Sequence, residues 1–139
     1  MRLSSEQLAS HLERELRPLY VLTGDEPLAL MESVDTIRQA ARKKGYDERQ
    51  SYTAERNFNW QQLTAGRDAL SLFASRRLLE VHIPSGKPGI EGSKALQEYV
   101  GRLPDDTVTL VTLQLLYINF KFNKEIIQPR YIIPVEKRF

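Results

Sequence analysis

The sequence predicts an α/β fold: a parallel sheet covered by helices on both faces. Three observations carry that prediction. Leu19–Thr23, Leu78–Ile83 and Thr107–Val111 are short apolar runs bounded by turn residues, the pattern of buried strands. The segments between them repeat apolar residues with helical period. The joints are short and polar, and strand alternating with helix across such joints is the signature of βαβ units.

Each element follows from local chemistry. Residues 4–16 form an amphipathic helix, with Ser4 and Gln7 at capping-box spacing and Leu8, Leu12 and Leu16 on one face. Pro18 ends it, and the first strand, Leu19–Thr23, closes on Gly24-Asp25. Pro27 can open a helix, and Leu30, Met31, Val34, Ile37 and Ala41 carry its period. Arg42, Lys43 and Lys44 before Gly45 suit a helix C-terminus, where cations meet the negative end of the dipole. Residues 49–54 make a weaker strand, and Asn59 to Ala69 a helix interrupted by Gly66. The second apolar strand, 78–83, stops at Pro84, and Ser85-Gly86-Lys87-Pro88-Gly89 reads as a loop. A helix over 93–103 and a Pro104-Asp105-Asp106 turn lead into the third strand.

Composition narrows the function. The chain has 139 residues, 41% of them hydrophobic, which suffices for one domain with a real core. It has no Cys, so disulfide frameworks, Cys-based zinc sites and thiol nucleophiles are excluded. No apolar run approaches the ~20 residues of a membrane span, and the polar start MRLSSEQ is unlike a signal peptide, so a cytoplasmic address is expected. The net charge of +2 is unevenly spread. Residues 1–113 carry 15 basic and 16 acidic side chains; residues 114–139 carry 5 and 2, with 5 of the 8 Ile and none of the 9 Ala. The expected division is therefore a domain over 1–113 and a separate tail over 114–139.

A search for chemistry starts at the turn after the first strand, where a nucleotide-binding α/β domain keeps its phosphate loop. Against G-x-x-x-x-G-K-[ST], only Gly24 survives. Ala29, Leu30 and Met31 stand in place of the second Gly, the phosphate Lys and the magnesium-binding hydroxyl, and Asp25 and Glu26 add charge of the wrong sign. The loop is degenerate, and no nucleotide cofactor is expected. Asp105-Asp106 reads as a solvated turn. His11 falls on the polar part of the first helix and His82 within a strand, too far apart and too poorly accompanied for a metal site. No G-x-S-x-G is present, so hydrolase chemistry is not expected. The Arg42-Lys43-Lys44 cluster could serve a DNA-contacting module, but a helix C-terminus accounts for it. A divergent phosphate-loop protein is the other alternative.

One segment invites a different reading. Leu70, Leu72 and Phe73 lie at a helix–strand junction with a spacing that suits neither element. Either they close the core where the chain turns, or Leu72 and Phe73 form an exposed wedge for a partner's apolar pocket, with Arg76 and Arg77 as its charged rim.

These residues resemble a known family. Leu19-Tyr20-Val21-Leu22-Thr23-Gly24-Asp25-Glu26-Pro27-Leu28 with the helix through Ile37-Arg38, then Ser71-Leu72-Phe73-Ala74-Ser75-Arg76 before a strand, then Leu103-Pro104-Asp105-Asp106, are similar in order and spacing to the delta subunit of the bacterial DNA polymerase III clamp loader. The resemblance covers residues 1 to about 112. It implies an AAA+-type domain with a lost phosphate loop, no catalysis of its own, and a role in opening the ring-shaped sliding clamp. It implies further that Leu72 and Phe73 enter an apolar pocket of the clamp, with Leu70 beside them. Leu70-Ser71-Leu72-Phe73 is also similar to the core of clamp-binding peptides, with Ala69 where those often have Gln. The expected partners are the sliding clamp and, through a collar domain this chain lacks, other loader subunits; DNA is met only indirectly, and no membrane is involved. From 114 onward the likeness is expected to stop. Leu115 to Phe122 departs from the family, and Tyr131-Ile132-Ile133-Pro134-Val135 has β character in a tail read as foreign, arising from truncation, a shifted reading frame or vector sequence.

Overall fold

The structure, a computed structural model, describes residues 5–68, 76–114 and 131–135. Nine elements follow one another among them: α1 (Ser5–Arg14), β1 (Leu19–Gly24), α2 (Pro27–Lys43), β2 (Glu48–Thr53), α3 (Gln61–Asp68), β3 (Arg77–Ile83), α4 (Gly89–Gly101), β4 (Thr107–Gln114) and β5 (Ile132–Pro134). The strands form one sheet in the order β2-β3-β4-β1-β5, and every pair is parallel. The predicted class, an α/β parallel sheet covered by helices, is the observed one.

Strand alternation divides the core into two layers. On one face Tyr20, Leu22, Leu78, Val108 and Leu110 meet Leu8 and Leu12 of α1 and Leu30, Val34, Ile37 and Ala41 of α2. On the other, Leu19, Val21, Leu79, Val81, Ile83, Val111 and Leu113 meet Leu63 of α3 and Leu96 and Tyr99 of α4. The central strands β1 and β4 are buried almost throughout, whereas β2, at the edge, is polar and mostly exposed. A polar edge strand of this kind discourages pairing with other chains.

Three expectations need correction. Helix α4 begins at Gly89, four residues before the predicted start, because Trp60 packs against its first turn. A Cβ on Gly92 would lie 2.6 Å from the Trp60 ring, so this glycine serves a close approach inside a helix. His11 is not on a polar face: it is 2% exposed, with Nε2 2.8 Å from the Tyr20 hydroxyl. Leu8, His11 and Leu12 stand at i, i+3 and i+4, which places all three on one face. Finally, part of the tail belongs to the sheet. Val21, Leu22 and Thr23 pair with Ile132, Ile133 and Pro134, and Val135 is buried beside them. Ser4 of the predicted capping box and Leu115 to Phe122 lie outside the described residues.

Candidate functional site

In a parallel sheet all strands point the same way, so the domain has a C-terminal edge, where α2 and α4 begin, and an N-terminal edge, where β2, β3 and β4 begin. The degenerate phosphate loop occupies the first. Gly24 ends β1 under Val135: the Val135 amide donates to the Thr23 carbonyl at 2.7 Å, and a Cβ on Gly24 would lie 3.0 Å from the Val135 carbonyl oxygen. A side chain there would force the two segments apart.

One turn on, the amides that would hold a phosphate are already occupied. Glu26 is the N-cap of α2; its carboxylate accepts from the Leu28 amide at 3.2 Å and the Ala29 amide at 2.7 Å. Its carbonyl accepts from the Leu30 amide at 3.1 Å, and Pro27 has no N–H. The positive end of the helix dipole is thus satisfied by the chain's own anion. Leu30, at the position of the phosphate Lys, is buried in the core; Met31, at the position of the magnesium-binding hydroxyl, is on the outside; Ala29 is half-buried. Gly24, Ala29, Leu30 and Met31 therefore gather at the predicted place and present no cationic or hydroxyl side chain to it.

The N-terminal edge receives the chain from the junction between α3 and β3. Leu70, Leu72 and Phe73 lie outside the described residues, and the two arginines that follow mark where the segment arrives. Arg76 is exposed. Its guanidinium lies 5.6 Å from the centroid of the Tyr46 ring, and its carbonyl accepts from the Glu48 amide at 3.4 Å. Arg77 is half-buried: its amide donates to the Asp106 carbonyl at 3.1 Å and its Nε to Thr107 Oγ1 at 3.3 Å, tying β3 to β4. Of the predicted rim pair, Arg76 is the exposed member, its guanidinium also donating to the Lys44 carbonyl at 3.5 Å. Lys43 and Lys44, at the C-terminus of α2, lie at this same edge.

A third assembly lay hidden in the sequence. Glu80, 0% exposed in the middle of β3, receives a two-pronged contact from Arg38 of α2, Nε to Oε2 at 2.8 Å and Nη2 to Oε1 at 2.7 Å. His82 Nε2 lies 2.8 Å from Glu80 Oε1, and its Nδ1 lies 2.7 Å from Thr112 Oγ1. Arg49 Nε approaches Glu80 Oε2 at 3.5 Å, and Asp35 holds Arg38 from outside at 3.1 Å. Burial alone would raise the Glu80 carboxyl; hydrogen bonds from Arg38 and His82 outweigh it and bring it down to about 2. The Glu80 hydrogen bond raises the Arg38 guanidinium in turn. A charge inside the run Leu78-Leu79-Glu80-Val81 was the available signal, since a buried carboxylate requires a partner. Its nearest same-face neighbour, His82, was the first to look for.

The fold and its edges define the class: a parallel α/β domain with a five-stranded sheet, in which Glu26 caps the α2 amides at the C-terminal edge. The chain belongs to the family of the DNA polymerase III delta subunit, whose model matches residues 20–122. It is 36% identical over 111 residues to DNA polymerase III subunit delta of Escherichia coli, a match covering 80% of this chain and 32% of that protein. To the same subunit of Haemophilus influenzae it is 32% identical over 115 residues, covering 83% and 33%. The chain thus spans about a third of the length of these relatives. The fold is similar to that of the Bacillus subtilis DNA clamp loader delta protein, with a TM-score of 0.71 and 21% identity over 94% of this chain and 42% of that one. The family match runs past the predicted boundary at 113, into the segment expected to depart from it.

Proposed function

We propose that this chain is the clamp-gripping domain of a clamp-loader delta subunit, acting in DNA replication without chemistry of its own. The observation that carries this reading is the Glu26 carboxylate on the α2 amides: the element that would bind a triphosphate is satisfied internally, and Leu30 and Met31 replace the groups that would bind phosphate and magnesium. A domain of this architecture without that site acts by binding. In this reading Leu72 and Phe73 enter an apolar pocket of the sliding clamp, Leu70 packs beside them, and Arg76 contributes to a charged rim. Binding favours a clamp subunit shape that fits poorly in a closed ring, so the difference in affinity between the two shapes shifts the ring toward opening. ATP hydrolysis belongs to other loader subunits, and the domain works in the cytoplasm, with no cofactor and with DNA met through its partners.

The test is binding of purified sliding clamp to this chain and to the Leu72→Ala/Phe73→Ala double variant. Truncating a hot-spot anchor costs about 2 kcal/mol or more, roughly thirtyfold in affinity. Equal affinity of the two proteins would overturn the wedge.

A further inference from the structure

Stability alone does not account for the Arg38–Glu80 pair. Glu80 is 0% exposed, and a buried ion pair is often matched or surpassed by apolar side chains of similar volume. What an apolar contact lacks is direction. Arg38 meets the carboxylate on two prongs, Nε to Oε2 at 2.8 Å and Nη2 to Oε1 at 2.7 Å, so α2 cannot slide or turn on β3 without breaking both. His82 on Oε1 and Arg49 on Oε2 hold the carboxylate from β3 and β2, and Asp35 holds the guanidinium from α2 itself. Such a contact fixes register between helix and strand, the best-attested use of a buried charge.

A second fastening joins the same two parts of the fold. Arg76, the first described residue after the 69–75 segment, donates to the Lys44 carbonyl at 3.5 Å and lies over the Tyr46 ring, at the C-terminus of α2. The two fastenings stand about 13 Å apart along the strand, from Arg76 to Glu80, and about 9 Å apart along the helix, from Arg38 to Lys44. One point of attachment lets a strand pivot on a helix; two hold it. The root of the segment that bears Leu72 and Phe73 is thus tied to α2 at two points.

We infer that Arg38 and Glu80 are positioning residues for clamp opening: they supply the stiffness with which the domain tells one clamp subunit shape from the other. The inference rests on the clamp-binding reading. A binder shifts its partner's equilibrium only by the difference in its affinity for the two shapes. A compliant binder adapts to both shapes and distinguishes neither. A stiff one is strained by the wrong shape, and that strain is the difference in affinity.

The experiment measures affinity for the purified sliding clamp in two forms, the closed ring and a monomer made by substitutions in the ring's subunit interface. The native protein is compared with three variants. Arg38→Lys keeps the charge and loses the two-pronged fork. Arg38→Met/Glu80→Leu replaces the pair by apolar side chains, an exchange often neutral or stabilising, and leaves a contact without direction. Leu96→Ala weakens the opposite face of the sheet and serves as control. The native protein is expected to prefer the monomer. In both Arg38 variants the closed ring should gain affinity while the monomer stays near its native value, so the preference falls at least about fivefold, the lower end of ordinary coupling between two states. Leu96→Ala should keep the native preference. Damage to the fold lowers both affinities together, so a gain on the closed ring separates positioning from stability. An unchanged preference in both Arg38 variants, an equal loss of preference in Leu96→Ala, or a native protein that binds ring and monomer alike would overturn the inference. A native protein that binds neither form overturns the clamp-binding reading itself, so the two failures are told apart.

Discussion

The two faces of the sheet are held by different physics. Under α3 and α4 the buried side chains are almost all apolar, and the buried contact of the Tyr99 hydroxyl with Thr109 Oγ1 at 2.8 Å is neutral. Under α1 and α2 the apolar layer is interrupted twice: by His11 against Tyr20, and by the Glu80 cluster that bolts α2 to β3. The first kind of face gains stability from area and packing, which protons do not touch. The second depends on charges remaining in one protonation state. Stability of the domain should therefore respond to acid through one face only.

The largest expected effect comes from breaking the bolt. Arg38→Met leaves Glu80 buried with its principal counter-ion gone and should cost about 3–5 kcal/mol in urea unfolding. On the other face, Leu96→Ala deletes a fully buried side chain and should cost about 2–5 kcal/mol, through lost burial and the cavity left behind. Magnitude does not separate the two variants, but pH does. The Leu96→Ala deficit should be the same at pH 7 and pH 4, whereas the Arg38→Met deficit should shrink as Glu80 becomes free to protonate. Parallel deficits at both pH values would erase the distinction between the faces.

In the native protein the Glu80 carboxyl is held down to about 2, from the 4.5 of an unperturbed glutamate. A depressed acid stabilises the fold fully above the unfolded value and loses that contribution as pH falls from about 4.5 through 2, on the order of 3 kcal/mol in all. His11 adds an earlier, smaller phase. Burial, then the charge of Arg17, lowers its pKa below 6.5, so the unfolded chain takes up the proton first and stability declines as pH drops below 6.5. Unfolding free energy measured from pH 8 to pH 2.5 should show both phases. His11→Gln should remove the first and leave the second; if the decline below pH 6.5 persists in that variant, another group causes it.

The comparison also explains what could be read from the sequence. The strands of the apolar layers were legible because period and composition report burial directly: Leu19–Thr23, Leu78–Ile83 and Thr107–Val111 are all strands. The expectation of a degenerate phosphate loop came from comparing motif positions residue by residue, at Gly24, Ala29, Leu30 and Met31. What was missed depends on partners distant in sequence. Arg38 and Glu80 are 42 residues apart and look like an ordinary surface cation and an odd strand acid until the fold brings them together. His11 was misplaced because its polarity outweighed its spacing, and the Tyr20 hydroxyl that accommodates it lies on the next element. The α4 start at Gly89 was hidden for a similar reason: glycine reads as loop unless one knows that Trp60 lies against Gly92. Residues 132–134 were set aside because their vocabulary differs from that of the domain, yet three Ile and Pro residues suffice to pair with an edge strand when burial is available on both sides.

The smallest expected effect is also the most discriminating for the vestigial loop. Glu26→Ala removes the carboxylate from the Leu28 and Ala29 amides and should cost about 1 kcal/mol, the ordinary worth of an N-cap. It also empties the one place in the turn where an anion could sit. If self-capping alone kept nucleotides out, the variant would gain affinity for ATP. Leu30 and Met31 argue otherwise: with no lysine to meet the outer phosphates and no hydroxyl for magnesium, freed amides supply only part of a site. Isothermal titration of ATP–magnesium into the native protein and into Glu26→Ala should give no binding heat in either, while thermal unfolding shows the variant slightly destabilised. Heat appearing in Glu26→Ala alone would mean that Glu26 plugs a loop still competent to bind, and that the loss of nucleotide binding rests on a single residue.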